Sequence, residues 1–183
     1  MLRRRRSRLA GFTLAEVLTV SALMSGLNSG SQFSYALNKA NEIKGLNNLR
    51  QIYLLLQVQC MVGGYPNAAF YPKGDPRKDP RSIVRLIEGA PPELFVSPFA
   101  PAPLKAKGLT YAWNDKVNGK MPDQVRRTWL LVDLAAFIAD PKVPKPTKYL
   151  ILYSDGKAVA TSTLPPDIVR VVAEARRKLS AGK

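Results

Sequence analysis

The chain has 183 residues, enough for one modest domain with an appended segment and for a core that needs no disulfide. It has no histidine and one cysteine, Cys60, which excludes histidine-based triads, histidine-ligated zinc and any intrachain disulfide. A formal charge of +15 points to an anionic partner, but five arginines (Arg3, Arg4, Arg5, Arg6 and Arg8) fall within the first eleven residues, and removing these five takes the charge to +10.

Residues 1–11 read as a basic leader and residues 12–37 as the segment that crosses a membrane. Arginines directly before an apolar run hold an amino terminus in the cytoplasm and send the downstream chain across. The run from Phe12 to Leu27 is 16 residues long, which at 1.5 Å per residue is short of the ~30 Å hydrocarbon core. Extending it to Leu37 takes in Asn28, Ser29, Ser31 and Gln32. A secretory signal would place its cleavage site after the apolar part and would rarely hold a carboxylate within it. Glu16 lies inside the run, and a charge there marks a function and requires a partner.

The stretch Gly11-Phe12-Thr13-Leu14-Ala15-Glu16 resembles the prepilin peptidase site of type IV pilins and type II secretion pseudopilins. The resemblance implies cleavage between Gly11 and Phe12, N-methylation of Phe12, and Glu16 as the residue that guides processing and assembly. It also implies a bacterial single-pass inner-membrane protein with its amino terminus in the cytoplasm and its globular domain in the periplasm or outside the cell. The implied partners are prepilin peptidase, other pilin or pseudopilin subunits, the filament assembly platform and the inner membrane. The Glu16 carboxylate of one subunit would meet the new Phe12 amine of the next, each charge offsetting the burial cost of the other. Ser25, Gly26, Asn28, Ser29 and Gly30 depart from the unbroken apolar helix of that family, so the helix is expected to loosen there. The Gly26 and Gly30 spacing also suits close helix packing.

From Tyr35 to Val62 the spacing is helical, with Ile43, Leu46, Leu49, Ile52, Leu56 and Cys60 on an apolar stripe and Lys39, Lys44, Asn47 and Arg50 off it. Residues 38–64 therefore read as an amphipathic continuation of the first helix, stopped by Gly63-Gly64. Cys60, in that apolar stretch, reads as a small buried hydrophobe. Residues 65–107 read as a proline-rich connecting loop on the domain surface, broken only by a short helix from Arg81 to Glu88 that Asp79-Pro80 opens.

Residues 108–183 read as a sheet domain with a terminal helix. Strand-like runs fall at 109–113, 128–134, 148–154 and 157–162, the last two joined by a tight hairpin at Asp155-Gly156. Pro165-Pro166-Asp167 opens a helix from Ile168 to about Leu179, with Ile168, Val171, Val172 and Ala175 inward. The fold class is α+β: a long amino-terminal helix, membrane-embedded in its first half, packed on a small antiparallel sheet, with a carboxyl-terminal helix. The runs Asn47 to Tyr53 with Gly64-Tyr65-Pro66, and Leu150 to Gly156, also resemble pseudopilin segments, with Lys145 standing where one subfamily has a histidine ten residues before Asp155.

The main functional expectation is a structural subunit, not an enzyme, with no cofactor and no metal. A second reading is a minor pilin that captures DNA through Lys73, Arg77, Lys78, Arg81, Arg126, Arg127, Lys142 and Lys145; these are scattered in the sequence and lack interleaved aromatics. A third is a membrane-anchored periplasmic protein that does not polymerise. A fourth is carboxylate chemistry or a calcium site at Asp115, Asp133 and Asp155, which lack the spacing of an EF-hand loop.

Overall fold

The computed structural model describes residues 14–134, 137 and 148–181; side chains are described from residue 32 on, except those of 176 and 178–181 in the last helix. Helix α1 runs over Leu14–Gly63, 50 residues. The chain divides into two compact units, Met1–Lys39 and Ala40–Lys183. The described part of the first is the opening stretch of α1, where residues 32–39 are all exposed.

Two expectations for this stretch are corrected. The helix does not loosen between Ser25 and Gly30 but is helical throughout. The single-pass inner-membrane placement, with the body of the protein beyond it, is overturned as well: among the described residues no helix is long and apolar enough to cross a membrane. Length is not what α1 lacks. Asn28, Ser29, Ser31 and Gln32 dilute its apolar run, and Lys39, Glu42 and Lys44 close it, and a span needs about 20 predominantly apolar residues.

In the second unit four strands form one antiparallel meander: β1 (Tyr111–Trp113), β2 (Trp129–Asp133), β3 (Tyr149–Tyr153) and β4 (Ala158–Thr161), in the order β1-β2-β3-β4. Alternate strand residues face opposite ways, and both faces are covered. Leu49, Ile52, Leu56 and Cys60 of α1 share one core with Tyr111, Trp113, Leu131, Leu150 and Leu152. Ala112, Val132 and Ile151 share a second core with Ile168 and Val172 of the last helix, which runs over Pro166–Ala181. Fully burying each leucine or isoleucine of the α1 stripe stabilises by roughly 1.5–3 kcal/mol. The stripe begins later than its spacing suggests, because Ile43 is 51% exposed.

The register shifts between Trp129 and Leu131, where two steps along β2 meet one along β3. This bulge lets Leu130 and Leu131 join the α1 core in succession while Trp129 and Val132 join the other. At Gly45 the helix backbone comes so near β3 that a β-carbon there would overlap Leu150 Cδ1. Helix and sheet are also tied by the Lys148–Glu42 ion pair at the start of β3.

Residues 65–107 are not a surface loop. They hold two short helices, α2 (Ile83–Leu86) and α3 (Ala102–Lys105), so that the last helix is α4, together with a 3-10 turn at Pro92–Phe95. They also bury Tyr65, Ala68, Ile83, Ile87, Leu94 and Phe95 in the α1 core. The prolines bar the segment from the ladder without barring it from burial. The expected Arg81 to Glu88 helix shrinks to α2, because Ser82 caps it by accepting from the Val84 N–H and Asp79 accepts from the Arg81 N–H.

Candidate functional site

Gly11 and Phe12 lie outside the described residues; Glu16 stands in the first turn of α1. What the structure adds is the outer surface of that helix. In the second unit Leu54, Val58, Met61 and Val62 recur at helical spacing on α1 and are 64%, 66%, 82% and 92% exposed. They form an unpartnered apolar face on a helix whose other side is fully buried. In the first unit Phe33, Tyr35 and Leu37 are exposed too. The sequence carries this second stripe in the same periodicity that reveals the buried one, but a single amphipathic face accounts for that periodicity just as well.

The three candidate carboxylates are not brought together. Asp115 is exposed in a 3-10 turn, and Asp155 is exposed in the β3–β4 turn, where it accepts from the Lys157 N–H at 3.1 Å. Asp133 is completely buried and accepts from Ser97 Oγ at 2.6 Å. Beside it the Tyr111 hydroxyl is buried without a partner of hydrogen-bonding geometry. Burial, then the Asp133 charge, push that phenol far above the ordinary tyrosine range, against a weaker opposing effect of Ser97. Thr110 accepts from the Ser97 N–H and donates to the Phe95 carbonyl at 3.2 Å, so the buried polar groups tie the 92–99 segment to the sheet. Among the described residues no group of three His, Cys, Asp or Glu side chains is placed to hold a metal ion. Cys60 is buried, and burial pushes its thiol up, away from the reactive thiolate.

Asp155 and Gly156 shape the hairpin as expected, with one residue more than a two-residue turn. The Gly156 N–H donates to the Tyr153 carbonyl at 3.0 Å and the Tyr153 N–H to the Lys157 carbonyl at 2.9 Å. Gly156 is left-handed at φ +81°, the three-residue loop in which a glycine follows a turn. A β-carbon there would also stand 2.8 Å from Tyr53 Cε1 of α1.

The basic residues that look scattered in the sequence fall into two groups. Lys73 and Arg77 join Lys107 around a cavity of about 370 Å³ lined also by Tyr71, Pro72, Asp75 and Pro76. Arg126 joins Lys116, Lys120 and Arg170 in a cleft of about 630 Å³ whose α4 side carries Asp167 and Glu174. Trp129 borders this cleft but is only 3% exposed, so it offers no stacking face. Arg127, next to it, is exposed and sits in the left-handed region at φ 52°. Lys78 and Arg81 are exposed outside both, and Lys142 and Lys145 lie outside the described residues. Lys107 meets residues 71–77 in the first group and Arg170 of α4 meets Lys116 and Lys120 in the second, and no local pattern in the sequence announces either meeting.

Compared with known proteins, the chain matches no family model, no curated protein and no solved structure.

Proposed function

We propose that the chain is a pilin-like structural subunit, processed between Gly11 and Phe12 and assembled through its amino-terminal helix with other subunits of the same kind. The observation that carries this reading is the division of labour along α1. Its second half buries one face against an antiparallel sheet and leaves Leu54, Val58, Met61 and Val62 uncovered on another. An apolar stripe at helical spacing, left bare on an otherwise well-packed domain, suits a helical partner. The Gly11-Phe12 junction and Glu16 add the means of maturation: cleavage would leave a free amine on Phe12, and the Glu16 carboxylate of a neighbouring subunit is its natural counter-charge. The buried, inert Cys60 and the dispersed carboxylates give no support to catalysis.

Mass spectrometry of the chain recovered from cells with and without an active prepilin peptidase tests the reading. The expected product lacks residues 1–11 and carries one added methyl group on Phe12, only where the peptidase is present. An intact Met1 terminus in cells with active peptidase would overturn it.

A further inference from the structure

A cavity of about 370 Å³ lies beside Tyr71 and is lined by exposed cations. Three cations line it, Lys73, Arg77 and Lys107, against one carboxylate, Asp75. That carboxylate is already engaged: it accepts from the Arg77 N–H at 3.0 Å and lies 4.0 Å from Lys78 Nζ. Among the described residues Arg77 has no carboxylate within ion-pair distance, and neither does Lys73 or Lys107.

The backbone turn and the Tyr71 side of the cavity are fixed before any ligand arrives. Pro72 and Pro76 are buried and lock their φ angles. The turn between them and the following residues is closed by the Lys78 and Asp79 N–H groups donating to the Asp75 carbonyl at 2.9 and 3.0 Å. Tyr71 is anchored by its hydroxyl, which donates to the Leu109 carbonyl at 3.4 Å. Arg77 lies over Gly108: a β-carbon there would stand 2.8 Å from Arg77 Nε, and Gly108 is itself left-handed at φ +76°. The left-handed backbone favours glycine at 108, and the missing side chain leaves the space that the exposed Arg77 side chain occupies.

We propose that this cavity binds the diphosphate group of a small molecule. The volume lies within the roughly 300–1,000 Å³ range of small-ligand sites. A planar guanidinium matches two phosphate oxygens at once, and the two lysines add point charges around it. Three cations against one engaged carboxylate call for a multiply charged anion, and the half-buried Tyr71 ring offers a contact for the organic remainder.

The test is a titration of the full chain with inorganic pyrophosphate at low ionic strength, followed by the backbone amide resonances of Gly74 and Gly108. Local resonances are needed because the arginines at 3–8 also attract anions. Saturable shifts at both glycines are expected, with affinity about tenfold or more weaker in Arg77→Gln and in Lys107→Gln, and unchanged in Lys157→Gln, an exposed lysine outside the cavity. Lys107 is exposed, so its variant keeps the test alive should Arg77→Gln fail to fold. Absence of shifts at Gly74 and Gly108, affinity in Arg77→Gln and Lys107→Gln equal to that of the unsubstituted chain, or equal affinity for inorganic sulfate would each overturn the proposal.

Discussion

Gly156 answers to two constraints at once, a left-handed backbone and a neighbour. An alanine there would strain the turn and press its methyl into the Tyr53 ring, whose hydroxyl donates to the Ser154 carbonyl at 3.3 Å. Gly89 has nearly the same backbone, φ +72°, and nothing within 4 Å of its missing β-carbon. Gly89→Ala is therefore expected to cost only the backbone strain, about 1 kcal/mol, and Gly156→Ala about 2 kcal/mol or more, measured as the difference in urea unfolding free energy. The turn itself was legible, since Asp155-Gly156 between two β-like runs has a local cause. The Tyr53 contact was not, because it joins residues about a hundred positions apart. Asp133 shows the same limit: its carboxylate looks available for chemistry in the sequence, and only the fold reveals that Ser97 and the 92–99 segment enclose it.

At the scale of elements, α1 presents two apolar stripes of opposite fate. Leu56 has no exposed surface and Val58, two residues on, is 66% exposed. Leu56→Ala should lower the unfolding free energy by about 2–5 kcal/mol, whereas Val58→Ser should stay within about 0.5 kcal/mol. Equal losses in calorimetry or urea unfolding would mean that the outer stripe is covered within the folded chain itself. All four strands and α4 fall inside or close to the runs that alternation and the Pro165-Pro166-Asp167 start indicate. Residues 65–107 do not, because proline density reports the absence of a ladder and is silent about burial. Helix continuity through Ser25 to Gly30 escapes the sequence for a related reason: small and polar residues weaken a helix by about 1 kcal/mol or less each, too little to break one of this length.

For the molecule as a whole, the tyrosines set an alkaline limit. Burial pushes Tyr65 from the ordinary 10.0 up to about 12, and Tyr53, Tyr71 and Tyr153 are raised as well, each chiefly by burial. Between those two values the folded chain holds protons that the unfolded chain releases, so stability must fall as pH rises through the interval. Unfolding free energy, measured by urea unfolding at each pH, is expected to hold up to about pH 10 and decline toward pH 12. The candidate site was legible at this scale only as net charge. Periodicity reports neighbours along an element, and it carried nothing of the meeting between residues 71–77 and 106–107.

The close approach at Gly45 has a mechanical consequence. A helix turns ~100° per residue, so sliding α1 by one position would bring Lys44 or Leu46 against Leu150, where not even a methyl group fits. The helix is thus keyed in rotation like a shaft in a slot. The bearing on which Leu54, Val58, Met61 and Val62 leave the surface is dictated by an atom that one upstream residue does not possess.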